Sequence, residues 1–226
     1  MTGGVYEMES DSINFGGERS SSENYNLDDT TGDSSSGPSS GDIYSMDAGF
    51  LQTDSSYTIS LSISDTILTM SPSLGGITGG YSNSSVDVVV ITDNEAGYDL
   101  FIKSEASPAL VSGNDSLADY VPAGAVPDYE YSVGFGDSNF GFSPEGNDIV
   151  SRFKDNGENC GTGNLDTPDA CWDGLSTSQI NISKSSSANA PGGATTTIKF
   201  RAGVGANRVQ IEGLYYATTT VTAIML

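Results

Sequence analysis

The sequence predicts an all-β protein: an antiparallel Greek-key β-sandwich preceded by an extended, repeated N-terminal arm. Three observations predict it. Apolar residues recur with a period of two in separate segments, 28 glycines and 8 prolines punctuate the chain, and almost no stretch carries the 3.6 period of an amphipathic helix. A break in composition near residue 55 divides the 226 residues into an arm, 1–55, and a sandwich domain, 56–226.

The arm is poor in core-forming residues. It holds 7 Leu, Ile, Val and Phe among its 55 residues and carries 11 acidic groups against one base, Arg19. That is about 13%, below the roughly 20% under which a highly charged segment buries too little apolar surface to offset its ordering entropy. The arm therefore needs a partner. It is nevertheless patterned, because Tyr6-Glu7-Met8-Glu9, Tyr25-Asn26-Leu27-Asp28 and Tyr44-Ser45-Met46-Asp47 recur every nineteen residues. In an extended chain Tyr and Met or Leu, two apart, fall on one face and the acid falls on the other, which predicts three short strands. Gly16-Gly17, Gly32 and the serine-rich gaps supply the turns. Ile13 and Phe15 form a further apolar pair of the same spacing.

Past the arm the alternation is strict. Tyr57, Ile59, Leu61 and Ile63 oppose Thr58, Ser60, Ser62 and Ser64, the pattern of a half-buried strand. Val86, Val88 and Val90 form a second strand, which Asp93-Asn94-Glu95-Ala96-Gly97 turns into Tyr98 to Lys103 as a hairpin. Tyr129, Tyr131, Val133 and Phe135 share one face of a predicted strand, and so do Ile198, Phe200 and Ala202. Tyr215, Ala217, Val221, Ala223 and Met225 line a last strand ending near Leu226, and 147–154 alone could form a helical turn. Gly75-Gly76 and Gly192-Gly193 lack the Lys-Ser or Lys-Thr pair and the helix of a phosphate loop, and are read as turns.

Composition excludes several functions. Thirty acidic residues against 8 basic ones give a formal charge of -22, which repels nucleic-acid backbones and anionic membrane surfaces. With no histidine and two cysteines, the usual zinc sites and His-dependent triads cannot be built. No apolar run is long enough for a membrane span or a signal-peptide core, so the expectation is a soluble chain without a membrane span, already processed if secreted. Ser and Thr supply 54 residues, a share that fits an exported surface protein.

Four features could carry chemistry. Cys160 and Cys171 lie in a loop dense in turn formers, and a disulfide there is favoured over two reactive thiols because no His stands near and only Lys154 is close. A bridge points to an extracellular location. Asp155, Glu158, Asp166, Asp169 and Asp173 surround the same loop as hard oxygen ligands that could hold calcium or simply form a solvated acidic loop; no other cofactor is expected. Asn83, Asn114 and Asn181 open Asn-x-Ser sequons, candidate glycosylation sites only where the producing cell glycosylates. Carboxylates are plentiful, but none sits in an apolar, aromatic context that would raise its pKa, so no enzyme activity is expected.

Two resemblances add to this reading. Ser10-Asp11-Ser12-Ile13-Asn14-Phe15-Gly16-Gly17, the Tyr-x-Met/Leu repeats, Asp128 to Val133, Cys171-Trp172-Asp173-Gly174-Leu175 and Thr218 to Ala223 resemble a family of secreted β-rich surface proteins of candidate-phylum, Patescibacteria-type bacteria. The resemblance implies export and a surface role, without catalytic motifs. The architecture, an arm unable to fold alone before a sandwich, is similar to pilins and matrix-fibre subunits that donate a strand to a neighbour. Together these give the expected function, an extracellular filament subunit that binds other copies of itself through Tyr6, Met8, Ile13 and Phe15 as inserted anchors, with Tyr25, Leu27, Tyr44 and Met46 packing along the same or the parent subunit. The alternative is a monomeric cell-surface adhesin or carbohydrate-binding module whose ligands are surface glycans.

Overall fold

The computed structural model describes residues 57–226 and, in the first 56, only six short strands. Those are β1 (Thr2–Gly3), β2 (Tyr6–Glu7), β3 (Arg19–Ser21), β4 (Asn26–Asp28), β5 (Gly37–Ser40) and β6 (Ser45–Ala48), paired antiparallel as β1–β2, β3–β4 and β5–β6. The side-chain placement of Tyr6, Met8, Ile13, Phe15, Tyr25, Leu27, Tyr44 and Met46 lies outside the described residues. The chain divides into two units, Met1–Ser56 and Tyr57–Leu226. The second unit carries the rest of the description.

That unit is built from strands, with a single 3₁₀ turn at Ser151–Phe153 where the sequence allowed a helical turn. Its strands are β7 (Ile59–Ile63), β8 (Gly80–Thr92), β9 (Tyr98–Ser104), β10 (Leu110–Ser112), β11 (Asp115–Asp119), β12 (Ser138–Glu145), β13 (Asp173–Gly174), β14 (Ile180–Ser185), β15 (Ala194–Val204) and β16 (Thr219–Met225). One sheet runs β10-β11-β12-β15-β8-β7, with β13 joined to β12. The other runs β14-β9-β16 and is antiparallel throughout. The larger sheet is mixed, because β11 meets β12 in parallel before β13 takes over the same edge of β12. A wholly antiparallel fold, as expected from sequence, is corrected at that one pair.

The two sheets share one core because alternate side chains of each face the other. Val86, Val88 and Val90 of β8, Ile198, Phe200 and Ala202 of β15, and Phe140 and Phe142 of β12 come from the larger sheet. Tyr98, Leu100 and Ile102 of β9 and Ile182 of β14 meet them from the smaller one, all four fully buried. The longest ladder, β8 with β15, carries this pattern over eleven residue pairs from Gly80–Val204 to Val90–Ala194. Each fully buried Val, Leu, Ile or Phe contributes about 1.5–3 kcal/mol of transfer free energy, so these strands dominate the stability of the unit.

Two sequence expectations fail here for topological reasons. β8 and β9 do not form a hairpin, because the 93–97 turn carries the chain from one sheet into the other. Gly97 makes the passage possible: its φ is +87°, and a Cβ there would lie 2.1 Å from the Ser185 carbonyl oxygen. Tyr129 to Phe135 is not a strand either. Tyr131 is buried as a loop side chain, its hydroxyl donating to the Asn139 carbonyl at 2.6 Å.

Candidate functional site

The edge of the larger sheet at β7 departs most from an ordinary core. In an antiparallel ladder, residues directly opposite place their side chains on the same face. Leu61 lies opposite Val90 and Ile63 opposite Val88, and both valines are buried in the core. Leu61 and Ile63 therefore point inward, yet they are 42% and 43% exposed. On the facing sheet Met225 of β16 lies opposite the buried Tyr98 and is still 39% exposed. The three mark a seam that neither sheet covers.

Hydrogen bonding sets the direction of the same edge. The Ser64 N–H donates to the Asp87 carbonyl, and the two-residue alternation of the ladder then aims the N–H and C=O groups of Ile59, Leu61 and Ile63 away from β8. Among the described residues no strand pairs with that side of β7. Exposed apolar side chains thus stand beside unpaired backbone groups, the combination that invites another strand. Serines occupy the solvent face, so no edge lysine or proline guards it.

A second cluster covers the outer face of the larger sheet. Tyr120, Tyr131 and Trp172 are buried together, with Tyr120 stacked on Tyr131 at 4.7 Å and Tyr131 edge-on to Trp172 at 5.3 Å. Arg201 of β15 lies 4.3 Å above the Trp172 ring and within 6 Å of Tyr131 and Tyr81, and its Nε donates to the Asn83 side-chain oxygen. Burial pushes the Tyr120 hydroxyl up to about 12, with the hydrogen bond to Asp128 acting in the same direction, and raises Tyr131 further. Both stay protonated donors. Sequence reading missed this cluster because its members, with Tyr81 and Arg201, come from five separate segments.

The predicted disulfide is present: Cys160 and Cys171 are bonded, with Cα atoms 5.6 Å apart, and there is no free cysteine among the described residues. The acidic residues around it have separate structural tasks. Asp155 is buried and accepts from the Gly157 N–H and from both the N–H and the hydroxyl of Thr167. Burial pushes its carboxyl up, but these hydrogen bonds win and hold it below the usual range. Asp166 accepts from the Gly146 N–H and is shifted the other way, chiefly by burial. Asp173 pairs with Arg152 at 2.6 Å, Asp169 with Lys199 at 3.0 Å, and Glu158 is exposed. Lys199 also pairs with Glu145 at 2.7 Å; burial works against its charge, but the two carboxylates hold its ammonium above the usual range. No three Cys, Asp or Glu side chains among the described residues gather in a group able to hold a metal ion.

The sequons differ in availability. Asn114 is exposed in the turn between β10 and β11. Asn83 is exposed on β8 but engaged by Arg201, and Asn181 donates to Asp99 from a half-buried position on β14. Among the described residues, shallow hollows indent the surface. One of about 360 Å³ is lined by Tyr81, Val133 and Phe135; another of about 530 Å³ is lined by Asp148, Ser185, Asn189 and Thr195. No helix among the described residues is long and apolar enough to cross a membrane. Compared with protein-family models, curated proteins and solved structures, the chain matches none.

Proposed function

We propose that the chain is an extracellular structural subunit that polymerises into a filament, its N-terminal arm completing the Greek-key sandwich of a neighbouring copy along the free edge of β7. The observation that carries the reading is the inward-facing but exposed pair Leu61 and Ile63 beside outward-pointing backbone groups. The alternation of Tyr6 with Met8 and of Ile13 with Phe15 supplies side chains of matching spacing. The disulfide fits an oxidising compartment outside the cell. The role is structural rather than catalytic.

Magnitudes explain why the arm is long. Covering Leu61 and Ile63 and burying two donor side chains contributes on the order of 5–8 kcal/mol. Ordering five donor residues costs about 5–10 kcal/mol in backbone entropy alone. One short strand is therefore at best balanced, and the remaining Tyr-x-Met/Leu repeats are assigned to the same contact, as Tyr25, Leu27, Tyr44 and Met46. Such a contact is heterologous and does not close, so it propagates. The charge of -22 keeps the sides of neighbouring filaments apart unless divalent cations screen them.

Electron microscopy of the purified full chain, beside a variant lacking residues 1–20, tests the reading. Filaments from the full chain and dispersed particles from the truncated one are expected. Filaments of unchanged diameter from the truncated chain would refute strand donation. A monodisperse monomer from the full chain at high concentration favours the adhesin, with surface glycans as ligands.

A further inference from the structure

The outer face of the larger sheet carries a row of polar and aromatic side chains that neither the core nor the β7 edge uses. Ile198, Phe200 and Ala202 of β15 point into the core, so Lys199, Arg201 and Gly203 point out. β8 sets Ser85, Asn83 and Tyr81 directly opposite them. Gly203 makes room for the aromatic end of this row, since a Cβ there would lie 2.9 Å from the Tyr131 ring and 3.1 Å from the Tyr81 ring. Tyr81 is 44% exposed and also lines the hollow of about 360 Å³, together with Val133 and the 77% exposed Phe135.

Arg201 is the member with capacity to spare. Its guanidinium lies 4.3 Å from the Trp172 ring centre, 5.7 Å from that of Tyr131 and 5.9 Å from that of Tyr81, so three rings hold it in place. Among the described residues only its Nε donates, to the Asn83 side-chain oxygen, which leaves the Asn83 Nδ2 unused as well. The carboxylate paired with it, Asp169, stands 3.8 Å from Nη2, beyond hydrogen-bond distance. Neither Nη is a buried atom without a partner, so both reach solvent with their N–H groups unspent. Fixed donors beside an exposed ring are what a ligand site requires. The polar hollow of about 530 Å³ lacks that combination: both ends of the Asn189 amide are committed to Thr92 and Val90, Ser185 donates to Ser187, and no aromatic ring lines it.

Charge selects the class of ligand. On and beside the row, Arg201, Lys199 and Arg208 are outnumbered by Asp87, Glu130, Asp137, Glu145 and Asp169, and the Lys199 ammonium is already held by Glu145 and Asp169. The stretch is net acidic, as the whole chain is, which disfavours phosphates and sulfated or uronate sugars. A cation would meet the Arg201 guanidinium at close range. A neutral polyhydroxyl ring satisfies both conditions: its C–H face packs on an aromatic side chain, while its hydroxyls accept from a guanidinium and donate to a carboxylate. We propose that the Tyr81–Arg201 row and the hollow beside it bind neutral sugar rings. One pyranose packs on Tyr81 and Phe135, its hydroxyls accepting from the Arg201 Nη groups and the Asn83 Nδ2 and donating to Asp169. The hollow falls within the range of about 300–1,000 Å³ of small-ligand sites. This goes beyond the filament reading and does not rest on it, because the site lies wholly within Tyr57–Leu226.

The single tryptophan, Trp172, lies against Arg201 and makes the site report on itself. The full chain is titrated with dextran, galactomannan, xylan and a mixed-linkage glucan, and separately with polygalacturonate, while Trp172 emission is followed; retardation in native gels cast with the same polymers gives a second measure of binding. At least one neutral polymer is expected to give a saturable emission change and to retard the protein, and raised ionic strength should leave both effects in place. Phe135→Ser and Arg201→Lys should each weaken that binding about tenfold. Phe135 is exposed, so its variant should melt at the same temperature as the parent, which separates a lost contact from a lost fold. Arg201→Lys keeps the charge and removes the planar fork of donors. A response to polygalacturonate alone, abolished by salt, would overturn the assignment to neutral sugars. No response to any of the polymers, or binding indifferent to both substitutions, rejects the site. Deleting residues 1–20 should leave the titration unchanged whether or not filaments form, so failure of strand donation and failure of the sugar site are read separately.

Discussion

Replacing Cys160 and Cys171 together by alanine removes the one covalent cross-link and tests whether it acts on the folded or the unfolded chain. The bridge spans a sequence separation of 11 and so closes a loop of about 12 residues. In the chain-entropy account, releasing that loop lowers the unfolded state by about 3 kcal/mol. The folded loop has other fastenings: the Asp155 carboxylate holds Gly157 and Thr167, Asp155 and Leu165 exchange backbone hydrogen bonds, and Trp172 pairs with Asp128. The native loop should therefore keep its shape without the bridge. A loss of about 3 kcal/mol is expected by urea denaturation, corresponding to a fall of roughly 6–12 °C in melting temperature for a domain of this size. The single tryptophan, Trp172, lies next to Cys171 and reports the local structure, so its native emission should be unchanged before unfolding begins. A loss under about 1 kcal/mol would refute the loop-entropy reasoning. A shifted native emission would show that the bridge shapes the folded loop instead.

Three further outcomes are expected. Asp155 is held below its ordinary carboxylate pKa when folded, so it contributes stability above about pH 4 that is lost as pH falls through the folded value; in Asp155→Asn this part of the acid dependence should disappear from denaturation midpoints measured between pH 2 and 6. Gly97→Ala forces a Cβ against the Ser185 backbone at a positive φ and should cost more than about 2 kcal/mol in the same assay, whereas Gly113→Ala, with a positive φ but open space around it, should cost about 1 kcal/mol. Arg201→Met removes the guanidinium over Trp172 and the hydrogen bond to Asn83, with an expected loss of about 1–2 kcal/mol and a measurable change in Trp172 fluorescence; unchanged emission would place the arginine elsewhere in solution.

Local alternation carried most of the fold, and its failures have a common physical origin. β8 and β15 were legible because one face of each meets the core and the other meets water or small polar side chains, and β7 and β16 because their sequences alternate although neither strand is fully buried on one face. β12 was not, although Phe140 and Phe142 alternate correctly, because its outer face is covered rather than solvated: a Cβ on Gly141 would meet Tyr120 and the Asp173 carbonyl, and Ser143 is buried against Ala170. Covering both faces removes the polar half of the signal and leaves Ser138-Asn139-Phe140-Gly141-Phe142-Ser143-Pro144 looking like a turn. The Tyr129 to Phe135 segment misleads in the opposite sense, its alternation arising from a loop that lays Tyr131 onto Trp172. The acidic loop was legible as chemistry but not as geometry, since a count of carboxylates cannot show that Asp155, Asp166, Asp169 and Asp173 are each already committed to a different partner.

The β7 edge makes the same point where function is concerned. From the sequence, Leu61 and Ile63 are indistinguishable from Val88 and Val90, since all four are the apolar half of an alternating strand. What separates them is position in the sheet order: β8 lies between β7 and β15, whereas β7 has a neighbour on one side only among the described residues. A buried valine in β8 stabilises the domain as it stands, but an inward-facing leucine at 42% exposure still has apolar surface to bury. Evolution toward a solitary monomer would readily remove that surface by placing a lysine or a proline on the edge. Instead the strand keeps serine outward and aliphatic inward to its last residue, Ile63.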